Sequence, residues 1–275
     1  MTSTVSPART GLDVAVDRPA RRRGGDFGVL LHQIRYEQLG FWRNPQAVIF
    51  TFVFPAAFMA VIGAVFGGNE TSDFFYGHTG LEYYVPTIAA LSVLGACYAQ
   101  LAITLSMRRQ MGVLKRVHAT PLPAWIYFVG LLAHCVFVSV VDVLLIAGVA
   151  ALYDVSPPAN WAILLITLLL GAASFCALGA AVASLVSNAE AAPAVVQFVQ
   201  FPLLFISGSY FPIHSALLSA IAGALPVKPF NDAVLAAFTH PGAGLHWQQH
   251  GVLLAWGLGG ALMAIWRFRW DPRPE

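Results

Sequence analysis

The sequence predicts an all-α integral membrane protein with six transmembrane helices, an N-terminal amphipathic interfacial helix and short external helices between spans five and six. Three observations predict it. Of 275 residues, 58% are hydrophobic and 10% are charged, and the mean hydropathy is +0.70; a soluble domain carries about a quarter of its residues charged. Apolar runs reach the roughly 20 residues that a helix needs to cross hydrocarbon, where unpaired backbone groups are too costly. With those runs read as spans, fourteen of the fifteen Lys and Arg residues fall on one side and only Lys228 lies on the other, the bias that cytoplasmic loops carry.

Residues 1–25 contain Pro, Arg and Ser without apolar periodicity, which predicts a disordered cytoplasmic tail attracted to anionic lipid headgroups. Arg22 and Arg23 suggest a twin-arginine export signal, but His32, Gln33, Arg35 and Glu37 stand where an uncharged apolar stretch is required. No cleaved signal peptide is expected. Over residues 27–42, Leu30, Leu31, Ile34 and Phe41 recur at helical spacing, with His32, Arg35 and Glu37 at polar positions. This reads as a helix lying at the cytoplasmic interface. Two roles fit it, a lever feeding the first span and a plain polar cap.

The spans are expected at 46–66, 84–107, 125–153, 161–186, 194–211 and 251–268. With both termini cytoplasmic, Arg9, Arg18, Arg21, Arg22, Arg23, Arg35 and Arg43 precede the first span. Arg108, Arg109, Lys115 and Arg116 follow the second, and Arg267, Arg269 and Arg273 follow or end the sixth. The loop 187–193 has no basic residue, and Gln197, Gln200 and Pro202 interrupt the fifth span. On the outer side, 215–225 is almost wholly apolar but half the length of a span, bracketed by Pro212 and Pro226, and 230–238 offers a second short helix. Gly171, Ala172, Ser174, Gly179 and Ala183 give the fourth span a face for close helix packing, first of all within one subunit.

Polar groups inside spans mark the candidate substrate path, because an ionisable side chain in hydrocarbon is costly and faces a partner or water. Asp142 is the clearest, and His134 lies two turns earlier. A carboxyl hydrogen-bonded to a neighbouring helix is the plain alternative. Tyr98 and Gln100 in the second span, with Gln197, Gln200, Phe201 and Phe205 in the fifth, suit a path for an amphipathic molecule. Cys97, Cys135 and Cys176 lie within spans and read as small packing residues. His246 and His250 stand four apart, but no Cys or acidic cluster accompanies them, so no metal site is assigned. Asn69, Glu70 and Thr71 form a glycosylation sequon that matters only in a glycosylating host.

The stretch Arg108-Arg109-Gln110-Met111-Gly112-Val113-Leu114-Lys115-Arg116-Val117-His118-Ala119-Thr120-Pro121-Leu122 resembles the cytoplasmic loop of ABC-2 type exporter permeases. Gly112, Leu114, Arg116, Thr120, Pro121 and Leu122 match the family pattern in place. Arg43-Asn44-Pro45 with Pro55, and Ser207-Gly208-Ser209-Tyr210-Phe211-Pro212-Ile213 followed by Leu225-Pro226, agree with it. The resemblance spans about residues 30–268. The chain departs from the family in carrying Arg108, Arg109 and Gln110 where acidic residues are usual, and Pro226-Val227-Lys228-Pro229-Phe230 after the external helix.

The resemblance implies a transmembrane permease subunit of an ATP-driven exporter, not an enzyme. It implies a coupling helix at 108–122 docking on a separate ATPase through Arg108, Arg109, Gly112, Leu114, Lys115, Arg116, Thr120 and Pro121. The expected partners are two ATPase copies, a second permease copy (homodimer or heterodimer) and membrane lipid, with no nucleic acid. The permease would bind no cofactor, ATP and Mg residing on the ATPase. Independently, Lys115 and Lys228 lack the Gly-rich context of a phosphate-binding loop, so hydrolysis requires a partner. Within the family the features around Phe211-Pro212 resemble the drug and natural-product branch, the daunorubicin-resistance-like permeases, which implies multidrug efflux at the plasma membrane and antibiotic resistance. Polysaccharide or glycolipid export is the alternative. An intramembrane enzyme using His134 and Asp142 is a third reading, but no nucleophile motif or metal cluster supports it.

Overall fold

In a computed structural model the chain is described over residues 26–66, 71–75, 77–120, 122–239 and 244–267. The expected tail 1–25, Asn69 and Glu70 of the sequon, Pro121, and the basic residues Arg269 and Arg273 lie outside the described residues.

Helix α1 (Asp26–Trp42) occupies the predicted amphipathic stretch. Of its side chains only Glu37 is buried, while Phe27, Leu31, Tyr36, Leu39 and Trp42 stay exposed. A short turn leads into α2 (Pro45–Phe66). Asn44 caps it by accepting from the Ala47 N–H at 3.3 Å, and Pro45 sits in the first turn, where its missing N–H costs nothing. A miniature hairpin, β1 (Thr71–Ser72) against antiparallel β2 (His78–Thr79), joins α2 to α3 (Gly80–Gln110). Thr79 and Glu82 close a reciprocal capping box at the start of α3, with distances of 2.9 and 3.2 Å.

Both α2 and α3 contain one wide π-helical turn, Ile49–Val53 in the first and Gly95–Gln100 in the second. In α2 the cause is local. Pro55 has no N–H and its ring crowds the carbonyl four residues back, Thr51, so the turn ahead of it opens.

A six-residue helix α4 (Val113–His118) precedes α5 (Ala124–Ala151) and α6 (Trp161–Leu185). Asn160 caps α6 by accepting from Ile163 N at 3.1 Å. Then come α7 (Ala192–Ile206), α8 (Ala216–Ala224), α9 (Val227–Thr239) and α10 (Trp247–Arg267). The two short helices α8 and α9 occupy the segments expected to hold them.

Among the described residues four helices, α2, α3, α5 and α6, are long and apolar enough to cross a membrane. The sequence calls for six spans, and the remaining two candidates differ from the others. The fifth is expected to reach residue 211, but α7 stops at Ile206 after 15 residues, because Gly208 takes φ +79 in the turn that follows. At about 1.5 Å per residue such a helix falls short of the hydrocarbon thickness of about 30 Å. Helix α10 has 21 residues, but Gln248, Gln249 and His250 lower the hydropathy of its first turn.

The packing centres on α3 and α6. Most of the apolar length of α3 is buried and little of that of α2, which leaves Ile49, Val53, Val61 and Val65 exposed. Apolar side chains on this scale stay exposed at little cost when the solvent is lipid. Along α6 the small residues accept close neighbours within the same subunit. Gly179 lies against the backbone carbonyl of Tyr98, and Gly171 against the ring of Phe230. Gly257 and Gly260 of α10 approach Ser174 and Ala177 in the same way, and Ser174 Oγ donates to Leu253 O at 2.8 Å. All three cysteines are buried free thiols, and Cys97 Sγ lies 3.2 Å from Ser139 Oγ.

Candidate functional site

Two regions collect the residues singled out by sequence. The first is the turn between α3 and α5. Gly112 joins α3 to α4 at φ +67 and ψ 12, a left-handed conformation that a residue with a Cβ adopts only with strain. Leu114 is fully buried and anchors α4, while Met111, Lys115, Arg116 and Thr120 are exposed. Thr120 Oγ1 donates to Val117 O at 2.6 Å and accepts from Leu122 N at 3.4 Å, so its side chain shapes the exit from α4. This gives a short surface element with one buried anchor and a basic outer face.

Arg108 and Arg109 were expected on that surface, but their guanidinium groups point into the subunit. Arg108 grips Glu37 of α1 through two parallel hydrogen bonds of 2.8 and 2.7 Å and also donates to the Tyr127 hydroxyl at 2.9 Å. Glu37 accepts further from Gln33 Nε2 at 3.0 Å. Arg109 is 3% exposed and donates to Ala183 O at 2.9 Å and to Val186 O, carbonyls at the open end of α6. Gln110 Oε1 accepts from Ala189 N at 2.8 Å, in the loop after α6. Arg108, Arg109 and Gln110 thus tie the C-terminal end of α3 to α1, α5, α6 and the loop after α6. The fork geometry of arginine suits both tasks.

The second region is a cavity of about 570 Å3 between α2, α3 and α7. Gln100, Gln197, Gln200 and Phe201 line it, four of the residues expected there from sequence. The remaining path residues take other places. Tyr98 is buried behind the wall and donates to Val196 O at 3.4 Å. Phe205 lies outside the lining, 61% exposed, with its ring centre 5.0 Å from that of Tyr210. His134 borders an adjoining, smaller cavity of about 140 Å3 that shares Thr51, Ala96 and Gln100 with the larger one and also contains the Glu37 and Arg108 pair, and its ring packs edge-on against Phe41. Asp142 is 1% exposed and lines neither cavity. His134 and Asp142 therefore share neither of these cavities.

The sequence reading missed the α2 wall of the larger cavity, where Phe50, Thr51, Phe54, Pro55 and Phe58 line it, and it missed Ser92 on α3. A signal was present in Pro55. The π-helical turn that it imposes places Phe50 and Thr51 at the cavity, opposite Gly95, Ala96 and Gln100 from the corresponding turn of α3. Such turns recur at functional sites.

Apolar spans, a basic turn with a buried leucine anchor and an aromatic cavity between helices suit a permease better than an enzyme. The sequence profile of the ABC-2 type transporter family matches residues 30–239. The chain belongs to the ABC-2 type transporter family. The match takes in most of α1 and all of α2 through α9, including both regions above. No curated protein matches the chain. Membership makes it a membrane-embedded permease of an ABC system, a component that works with an ABC ATPase and as a membrane dimer.

Proposed function

We propose that this ABC-2 permease is the membrane half of an exporter for hydrophobic or amphipathic compounds, drugs or natural products among them. The observation that carries this is the lining of the larger cavity, where aromatic side chains from α2 and α7 face a few amide and hydroxyl groups. Pockets of that composition bind the body of an apolar ligand by area and orient it by a small number of polar contacts. A sugar polymer would call for a corridor dense in hydrogen-bonding groups, which this lining does not provide.

In this reading the chain crosses the plasma membrane six times, α10 and α7 together with the turn 207–211 completing the four longer spans, with both termini in the cytoplasm. The basic face of α4, with Lys115 and Arg116, docks on the ATPase, which holds ATP and Mg. Gly112 and Thr120 fix the angle of that face, and Leu114 transmits its displacement to the spans. Arg108 and Arg109 bind nothing outside the subunit. They make the inner end of α3 move as one body with α1 and α6. Two copies of the permease, or this chain with a similar one, then rock under the closure of two ATPase subunits.

Accumulation of fluorescent lipophilic dyes in cells with and without this chain and its ATPase tests the reading. Reduced accumulation that requires both proteins supports it. Equal accumulation, or Lys115 labelled by an impermeant reagent from outside the cell, would overturn it.

A further inference from the structure

A further cavity, of about 270 Å3, lies at the N-terminal end of α3, away from Gly112, between that helix, the turn after α7 and α9. His78, Lys228, Asn231 and Asp232 line it, with Ile213 and Leu235 among its apolar walls. Lys228 Nζ donates to both carboxylate oxygens of Asp232 at 3.1 and 2.9 Å, and the two side chains keep exposures of 22% and 42%. One positive and one negative group thus stand side by side in the lining, each with hydrogen-bonding capacity to spare. Beside them a chain of hydrogen bonds has a fixed direction. Ser207 Oγ donates at 2.9 Å to Leu204 O, one of the last carbonyls of α7, which have no partner within the helix. A hydroxyl carries one hydrogen, so Ser209 is the donor in its 2.6 Å contact with Ser207, and Ser209 in turn accepts from Asn231 Nδ2 at 2.8 Å. The amide oxygen of Asn231 is what this chain leaves over. Asn231 is 8% exposed, and its Oδ1 is buried without a partner among the described residues. Buried acceptors in proteins are met by donors, and this one belongs to a residue that lines the cavity.

We infer that this cavity takes a headgroup in which a primary ammonium and a phosphate are joined by a short carbon link, the phosphate set against Lys228 and His78 and the ammonium against Asp232 and Asn231 Oδ1. The export reading bears on this only in placing the cavity at the outer leaflet. Three features select that chemistry. The pair formed by Lys228 and Asp232 meets its own mirror image in a zwitterion, so both charges gain a second partner. A lone anion would lie against Asp232, and a lone cation against Lys228. The N–H groups of a primary ammonium supply the donor that Asn231 Oδ1 lacks, whereas a trimethylammonium has no N–H to give. Ile213 and Leu235 accept the carbon between the two charges.

The test follows binding of dihexanoyl lipids to the full chain in detergent by native mass spectrometry, with phosphatidylethanolamine, phosphatidylcholine and phosphatidylglycerol as probes. The ethanolamine lipid is expected to bind about tenfold more tightly than the other two, the worth of one charge-assisted hydrogen bond. Asn231→Leu should bring the ethanolamine and choline lipids level. Asp232→Asn should weaken the ethanolamine lipid and strengthen the glycerol lipid, because Lys228 then meets a phosphate with no carboxylate beside it. Equal binding of the three lipids by the native chain, or a preference for ethanolamine over glycerol that survives Asp232→Asn, overturns the inference. Asn231 is buried, so if Asn231→Leu fails to fold, the part-exposed Asp232 carries the test. Free phosphoethanolamine separates the two sources of this headgroup. Displacement of the ethanolamine lipid by the free compound at equal concentration assigns a soluble ligand, and displacement by lipid alone assigns a phospholipid of the membrane. Either result upholds the headgroup chemistry, and displacement by neither overturns it. No arm contains the ATPase, so failure of the export reading and failure of this inference are read separately.

Discussion

Arg109 at the C-terminal end of α3 donates to the backbone carbonyls of Ala183 and Val186, so one guanidinium satisfies the open carbonyl end of the neighbouring α6. A helix leaves its last carbonyls without intrahelical partners, and in a buried setting each needs a donor. Arg109→Ala should therefore lower stability by about 2–3 kcal/mol, the loss of two charge-assisted bonds. Arg109→Lys should recover less than half of that, because an ammonium on a flexible stem does not span two carbonyls as a planar fork does. Thermal unfolding of the detergent-solubilised chain measures both, and full rescue by lysine would show that charge alone matters.

The pair formed by Glu37 and Arg108 calls for a double-mutant cycle. Glu37 is nearly fully buried on the inner side of an otherwise exposed helix, with a side-chain exposure of 3% against 23% for Arg108. Removing one partner strands the other. Glu37→Gln and Arg108→Met should each cost about 2–3 kcal/mol, while the double variant costs less than their sum. Strict additivity in the unfolding midpoints would mean that the two groups do not hold α1 in place.

The helical inventory was legible in the sequence because apolar length and turn residues are local properties. Helix α1 and the two short helices α8 and α9 fall where periodicity and the bracketing prolines put them. Gln100, Gln197 and Gln200 of the cavity were legible too, since a glutamine in an apolar run stands out wherever the run ends up. What escaped was non-local. Arg108 and Arg109 look like surface charges in any linear reading, and only the arrival of Glu37 and of the end of α6 beside them turns both inward. The α2 wall escaped because Phe50, Phe54 and Phe58 are indistinguishable in sequence from residues facing lipid. The early end of α7 escaped because hydropathy does not register the left-handed Gly208.

Gly112 makes a graded prediction. A Cβ added there meets no atom within 4 Å, so the cost of substitution is conformational and not steric. Gly112→Ala should cost about 1–2 kcal/mol in the turn, and Gly112→Asn less, because asparagine tolerates the left-handed region. Proline cannot reach φ +67 at all. Stimulation of the partner ATPase should fall in the order Asn, Ala, Pro, while each variant still inserts into the membrane. Unimpaired efflux with Gly112→Pro would separate this turn from coupling.

Two glycines of the spans should respond in opposite directions to the same change. A Cβ at Gly179 would lie 2.7 Å from the carbonyl oxygen of Tyr98 and 3.2 Å from that of Cys97. Those contacts are backbone, and no rotamer relieves them. Gly179→Ala should push α6 away from the π-helical turn of α3 and cost about 1–3 kcal/mol. It should also disturb the cavity, because Gln100 leaves the same turn. At Gly148 of α5 an added Cβ meets nothing within 4 Å, and alanine there should stabilise the helix by about 0.5–1 kcal/mol through its higher propensity. Unfolding midpoints of the two variants, compared with binding of a lipophilic dye, read both effects. Equal shifts in the same direction would contradict the close approach of α6 to α3 on which the inner wall of the cavity depends.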